Sequence, residues 1–352
     1  MQKKFFYFFT LLTVALAAEG QQITIFHTND LQSRLLGFGP NAEYTPDSLN
    51  DDTTVGGFAR LVHLLKQRRE ARQQDIQLTL DGGDITMGTL FHTVTRETGG
   101  ELTLMRMAGY DAAVLGNHDF DFRPRGTAQM IRSALKSGPI PRLVLSNVKP
   151  NPESDLDDEL ESLYNENVIT PYTIIEKNGV RFGIFGLLGK EAWFNSKTAA
   201  PLLYTDPIES GKEMIAALQK EKVDMIILCS HSGIDENTRN EFVGTGEEID
   251  FARALPEIDV IVGGHSHTAI FEPAVVGGRT PVLQAGSEAR FLGEALFARD
   301  GQRWKMTEYK LHRIDDSIPG DRAISSRIDE LKTEVSRRIL GPLKLLFDQP
   351  II

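Results

Sequence analysis

Apolar residues along the chain fall into short, nearly continuous runs that alternate with stretches of helical spacing, and run after run ends on a polar, metal-ligating side chain. Residues 23–26 read as a β-rich strand that delivers His27-Thr28-Asn29-Asp30 at its end. Gly56-Gly57 then precede a segment with apolar residues at 58, 61, 62 and 65, the spacing of a helix. The basic run 66–72 closes that helix and is expected to complement its carboxyl-end dipole and face solvent, with no binding role. Residues 76–80 alternate as a strand and end in Asp81-Gly82-Gly83-Asp84, where glycines let the backbone turn sharply and bring a carboxylate inward. A helix at 102–107 and a strand at 112–115 follow, the strand opening into Gly116-Asn117-His118-Asp119-Phe120-Asp121.

The alternation continues through a helix at 130–135 and strands at 143–145 and 181–185. Runs 223–228 and 258–262 lead to Ser230-His231-Ser232-Gly233 and to Gly263-Gly264-His265-Ser266-His267, and their continuous apolar character belongs to a sheet covered on both faces. The chain then turns to β character at 281–283 and 293–298 and finishes with a polar amphipathic helix at 325–339 before Gly341-Pro342. Residues 37–54, rich in Gly, Pro, Asn and Asp without a period, predict a loop long enough to overhang a site. Residues 151–168 carry seven acidic side chains and no basic one, which predicts a solvated insertion.

Such an αβ order predicts an α/β protein, and in an open sheet of that class sites are built at the carboxyl ends of strands. Asp30, Asp84, Asn117, His118, Asp119, Asp121, His231, His265 and His267 all stand there, on five segments. A polar turn is the plain reading of any one of them; the repetition argues for a site. Carboxylates mixed with imidazoles suit zinc, manganese, iron or cobalt better than calcium. Nine candidate ligands exceed the needs of one ion, so two divalent ions are inferred, a pair that can clamp a phosphoryl oxygen during ester hydrolysis.

The 352 residues, 41% of them hydrophobic, are enough to bury one large core or two smaller ones. Residues 1–17 combine Lys3 and Lys4, an apolar run at 5–16 and Ala15-Leu16-Ala17, the pattern of a cleaved secretory signal. A membrane anchor is the alternative, but the run is shorter than the roughly 20 residues of a spanning helix. Export to the periplasm or outside the cell, with no stable membrane anchor, is therefore expected. Loss of Lys3 and Lys4 takes the formal charge from −11 to −13, which disfavours nucleic acid and anionic lipid and points to a small partner. Cys229, the one cysteine, lies in an apolar run and is expected to pack in the core.

The ordered motifs Asp30-x-Gln32, Gly83-Asp84, Gly116-Asn117-His118-Asp119, His231 and Gly264-His265-Ser266-His267 resemble the calcineurin-like metallophosphoesterases. With His27-Thr-Asn-Asp30 and Gly56-Gly57-x-Ala59-Arg60-Leu61 the chain is similar, over about 23–339, to the catalytic domain of the secreted 5′-nucleotidase and UDP-sugar hydrolase family. The resemblance implies a four-layer α/β/β/α sandwich of two packed mixed sheets. It implies a catalytic domain over 18–319, with 320–352 as a C-terminal helix and linker to a substrate-binding domain absent from this chain. It also implies that Asp84 bridges two metals, with Asp30, Gln32 and His267 on the first and Asn117, His231 and His265 on the second. His118, oriented by Asp121, would face the phosphate, and a hydroxide bridging the metals would attack it.

Gln32 stands where the family usually has histidine. It is taken as a carbonyl ligand, the alternative being a weakened first site. The implied activity is hydrolysis of nucleotides. Cyclic nucleotides, nucleotide sugars or sulfur esters on the same fold stay open as substrates, as does a metal- or phosphate-binding module without turnover.

Overall fold

In the computed structural model, which describes residues 21–39, 43–235 and 244–347, the apolar runs become the inner strands of two mixed sheets packed face to face. The leader read at residues 1–17 lies outside the described residues. Across the first sheet the strands are Arg303–Arg313, Phe291–Asp300, Gln22–Thr28, Ile76–Asp81, Ala112–Val114, Arg142–Val144 and Ile169–Thr170. The last five run parallel, and Phe291–Asp300 is antiparallel to both of its neighbours. The second sheet runs Ala274–Val276, Thr280–Leu283, Val260–Val262, Met225–His231, Val180–Leu188 and Tyr172–Lys177, with the four inner strands parallel and an antiparallel strand at each edge.

Side-chain alternation decides which surface each residue serves. Along Met225–His231, Met225, Ile227 and Cys229 join the core between the sheets, whereas Ile226 and Leu228 pack outward with Ile215, Leu218, Ile249 and Phe251. A strand buried on both faces has no polar period, hence its continuous apolar sequence. The Cys229 thiol belongs to this inter-sheet core, and burial pushes its pKa up, so it packs and does not react. The sheets approach so closely at Gly186 that a Cβ there would lie 2.1 Å from the Val144 carbonyl oxygen. Helices Pro207–Lys220 and Glu247–Ala254 cover the second sheet. On the first sheet's side lie Phe58–Ala71, Gly100–Ala108, Arg123–Leu135 and Arg322–Val335, the last burying Ile324, Ile328, Leu331 and Val335 in the same core. The result is the expected four-layer α/β/β/α sandwich of two packed mixed sheets. No helix among the described residues is long and apolar enough to cross a membrane.

Two local expectations need correction. The basic run 66–72 is not a free solvated face: Arg68 and Arg72 bind Glu294, a carboxylate 2% exposed, and Arg69 donates to Thr79 Oγ1 and to the carbonyls of Ala108 and Gly109. Long basic stems reach across the end of the helix to strands packed beneath it. The acidic stretch 151–168 contains a helix, Asp158–Asn165, that buries Leu160 and Leu163 while its outer carboxylates meet cations of the neighbouring helix, as in Arg125–Glu159 at 3.0 Å. The described part of loop 37–54 is fastened to the segment that follows strand Arg303–Arg313. Asp52 forms a fully buried 2.7 Å pair with Arg60, and Asn50, Thr53 and Pro46 bond to residues 316 and 320.

Glu294 also accepts from His312 at 2.7 Å. Burial alone would raise its pKa, but His312, Arg68 and Arg72 outweigh that and hold the carboxyl well below the ordinary 4.5. A depressed folded value means the stabilisation is fully present above about pH 4.5 and is lost as pH falls through the folded value. Glu294→Gln is therefore expected to lower the unfolding free energy by about 2–3 kcal/mol at pH 7, because it leaves partly exposed cations around a buried site without their carboxylate. Urea unfolding of both proteins at pH 7 and at pH 3 checks this: the gap should be wide at pH 7 and narrower at pH 3. Equal midpoints at pH 7 would refute the role.

Candidate metal centre

Because the inner strands of each sheet are parallel, their carboxyl ends lie together, and the five polar segments that follow Gln22–Thr28, Ile76–Asp81, Ala112–Val114, Met225–His231 and Val260–Val262 converge at one edge of the sandwich. Five of the candidate ligands are held at left-handed backbone angles: Asp30 (φ 51°), Gln32 (50°), Asp84 (53°), His265 (79°) and His267 (59°). Each such angle on a non-glycine residue costs on the order of 1–3 kcal/mol, a strain that persists where the surrounding contacts dictate side-chain direction. Those contacts are present. Asp30 N donates to the Gly83 carbonyl, Gln32 N to the Asp84 carbonyl, His265 N to Asp30 Oδ2 (2.9 Å), and His118 N to Asp84 Oδ1 (2.9 Å).

The side chains gather into a group of four and a group of three. In one, Asp84 Oδ1 lies 3.2 Å and Asn117 Oδ1 3.1 Å from His231 Nε2, and the His265 ring stands edge-on to His231 with centroids 5.1 Å apart. In the other, His267 Nε2 lies 3.3 Å from Asp30 Oδ1 and 2.8 Å from the Gln32 amide. Donor atoms of Asp30, Asp84 and His231, all buried, lie within 4.8 Å of one another and join the groups. The rear nitrogen of His231, Nδ1, donates to the Gly82 carbonyl at 2.8 Å, which turns Nε2 towards the carboxylates. His118 stands beside both groups without joining either. Its Nδ1 faces the Asp121 carboxylate at 3.1 and 3.2 Å, and both side chains are about one-third exposed.

Charge follows the same division. Burial opposes ionisation of Asp84 and His231 alike, yet each holds the other charged, with the imidazole pushed up to about 10 and the carboxyl kept low. The hydrogen bond to Asp121 raises His118, the Asp30 carboxylate raises His267, and burial, helped by the charge on His231, lowers His265 to about 4.

Among the described residues nothing satisfies the convergence fully. Asp30 Oδ1 is buried and, apart from the 3.3 Å ion-pair contact with His267 Nε2, makes no well-aligned hydrogen bond among the described residues, a costly state for a buried carboxylate oxygen. Space has been kept as well: a Cβ on Gly116 would lie 2.2 Å from Asp84 Oδ1 and 2.8 Å from His231 Nε2. Carboxylate, amide and imidazole donors with an orphaned oxygen suit divalent transition-metal ions.

Asp119, counted among the candidate ligands, is turned the other way. It accepts from the backbone N–H of Ile85, Thr86 and Gly116 and from Thr86 Oγ1, so it ties the loop after Ile76–Asp81 to the loop after Ala112–Val114. Asn29 plays a similar part for Asp30, donating to Asp30 Oδ2 and the Gly286 carbonyl and accepting from Ala285 N. Its place beside Asp30 in the His27-Thr-Asn-Asp30 motif was the available signal. Glu248 and Gln284, buried behind the second group, had none. Glu248 accepts from Gly233 N, Gly264 N and Gln284 Nε2.

Comparison with known proteins bears on the same residues. The sequence profile of the calcineurin-like phosphoesterases matches residues 23–269. The chain is 30% identical over 340 residues to a 5′-nucleotidase of Bos taurus, covering 91% of this chain and 54% of the relative. It is 25% identical over 336 residues to a trifunctional nucleotide phosphoesterase of Bacillus subtilis, covering 89% of this chain and 21% of that one. Among solved structures, a 5′-nucleotidase precursor of Thermus thermophilus superposes with a TM-score of 0.71 at 26% identity over 90% of this chain and 59% of that one. An NAD nucleotidase of Haemophilus influenzae shares the fold at 0.70 and 21% identity, with 90% and 60% covered. The chain spans about half the length of the 5′-nucleotidases it matches.

Proposed function

The chain belongs to the calcineurin-like phosphoesterase family, and from that premise we propose that it is a phosphoric monoester hydrolase acting on nucleotides at a dinuclear metal centre. The observation that carries the reading is the pair of donor groups, one of four residues and one of three, joined through Asp30 and Asp84, too many converging donors for one ion. In this reading Asp84 serves both ions, Asp30, Gln32 and His267 hold the first, and Asn117, His231 and His265 hold the second. Two divalent ions held there would supply charge for the phosphoryl oxygens and a water acidic enough to attack at neutral pH.

The chain's own residues do the rest. Asp121 receives Nδ1–H of His118, fixing the tautomer and favouring the charged ring, which leaves Nε2 to give a proton to the departing oxygen. His118 lies outside both donor groups yet is poised by a carboxylate, which favours turnover over a module that only binds phosphate. The reading includes export, carried by the signal pattern of residues 1–17. Phosphate release from AMP, UDP-glucose, cyclic nucleotides and an aryl phosphate, with zinc, manganese, iron and cobalt added in turn, tests it. No release from AMP under any metal would overturn the nucleotide assignment.

Gln32 gives a separate check on the first ion. Its amide nitrogen sits 2.8 Å from His267 Nε2, so a flip of the amide would turn its carbonyl towards the same ion, and a neutral imidazole is a stronger donor to zinc-class metals than an amide carbonyl. Gln32→His is expected to tighten the weaker of two metal-binding constants by roughly tenfold while turnover persists. Calorimetric titration of metal-free protein reads it, and unchanged constants would remove Gln32 from the coordination sphere.

A further inference from the structure

Resting on the metal-centre reading, we propose that Glu248, linked to Gln284, is the positioning residue that sets the two ligand-bearing loops of the second sheet at their working separation. One loop follows His231 and the other carries His265 and His267. Glu248 Oε1 accepts from Gly233 N (3.3 Å) and Gly264 N (3.1 Å), two residues after His231 and one before His265, while Glu248 N donates to the Gly233 carbonyl. Oε2 accepts from Gln284 Nε2 (2.8 Å), whose amide also bonds the Gly264 carbonyl and takes the Ser266 hydroxyl at 2.9 Å. The carboxylate is fully buried, and Gly263 makes room for it: a Cβ there would lie 2.1 Å from Oε2. Every acceptor of this buried group is thus directed to backbone within two residues of a metal ligand, or to the Gln284 amide that holds the same backbone, where a displacement of about 1 Å is enough to spoil a site.

The competing explanation is that Glu248 merely pins its helix to the sheet. Asp259 separates the two. It is a buried carboxylate on the same pair of strands but at their opposite ends, where it accepts from Ile226 N at 2.8 Å. Mn²⁺ would be titrated calorimetrically into chelator-stripped full chain, alongside thermal melts and phosphate release at varied Mn²⁺. Glu248→Ala and Gly263→Ala are expected to weaken Mn²⁺ binding by about 10–100-fold and to raise the Mn²⁺ needed for half-maximal release by the same factor, with kcat at saturating Mn²⁺ within a few-fold of wild type. Glu248→Gln, which keeps an acceptor, should recover most of the affinity. Asp259→Asn should lose thermal stability without losing Mn²⁺.

Unchanged Mn²⁺ affinity in Glu248→Ala, or equal weakening in Asp259→Asn, overturns the proposal. If Glu248→Ala does not fold, Gln284→Ala is read by the same criteria. A wild type that binds two Mn²⁺ but releases no phosphate refutes the hydrolase reading while the affinities still decide this one; a wild type that binds none refutes both.

Discussion

His118→Ala should lower kcat for AMP by about 10²–10⁴-fold, the scale of a positioned general acid, and leave the metal content unchanged. The side chain contacts Asp121 and lies outside both donor groups. What ties the residue to the metal centre is its backbone N–H, which donates to Asp84 Oδ1 at 2.9 Å and survives the substitution. Loss of the ring therefore removes a proton donor without disturbing Asp84. A substrate with an easily departing oxygen needs that proton less, so the loss on an aryl phosphate with an acidic phenol should be markedly smaller than on AMP. Elemental analysis of dialysed protein with kcat on the two substrates gives the answer. Metal lost together with activity would make His118 a ligand, and equal losses on both substrates would remove the proton-donor role.

The convergence of the seven candidate donors was legible because each stands where an apolar run stops, and a parallel sheet brings all such stops to one edge whatever the detailed topology. The supporting residues were not. Glu247, Glu248 and Asp250 form one acidic helix start, a pattern that serves the helix dipole, and only the packing of that helix turns Glu248 alone into the interior. Strand Arg303–Arg313 escaped for a different reason. Its apolar positions, 304 and 306 and then 309 and 311, change phase at a register shift opposite Leu296 and Phe297, so no period of two runs through it. The basic run 66–72 misled because charge on a helix end is solvated by default; Glu294, more than two hundred residues away in sequence, is what draws Arg68 and Arg72 inward. Donor type and strand ends are local properties, whereas the groups that hold donors in place are defined by contacts between distant segments.

Gly116→Ala is expected to cost as much activity as His118→Ala by the opposite route, through loss of metal. A Cβ at this position would lie 2.2 Å from Asp84 Oδ1, 2.5 Å from Asp84 N and 2.8 Å from His231 Nε2. The second of these is a backbone atom, so rotation of one side chain cannot relieve the clash, and the loops after Ile76–Asp81 and Ala112–Val114 must separate. They are also joined through Asp119, which accepts from Gly116 N on one side and from Ile85 and Thr86 on the other, so movement at Gly116 is passed to the backbone that carries Asp84. A shift of about 1 Å in Asp84, the residue proposed to serve both ions, should weaken metal binding and turnover by on the order of 10²-fold or more. Unlike His118→Ala, the variant should regain part of its activity as metal is raised, and it should lose AMP and aryl phosphate hydrolysis in equal proportion. A Gly116→Ala protein that retains two tightly held ions and wild-type turnover would mean that Asp84 and His231 do not form the centre of the site.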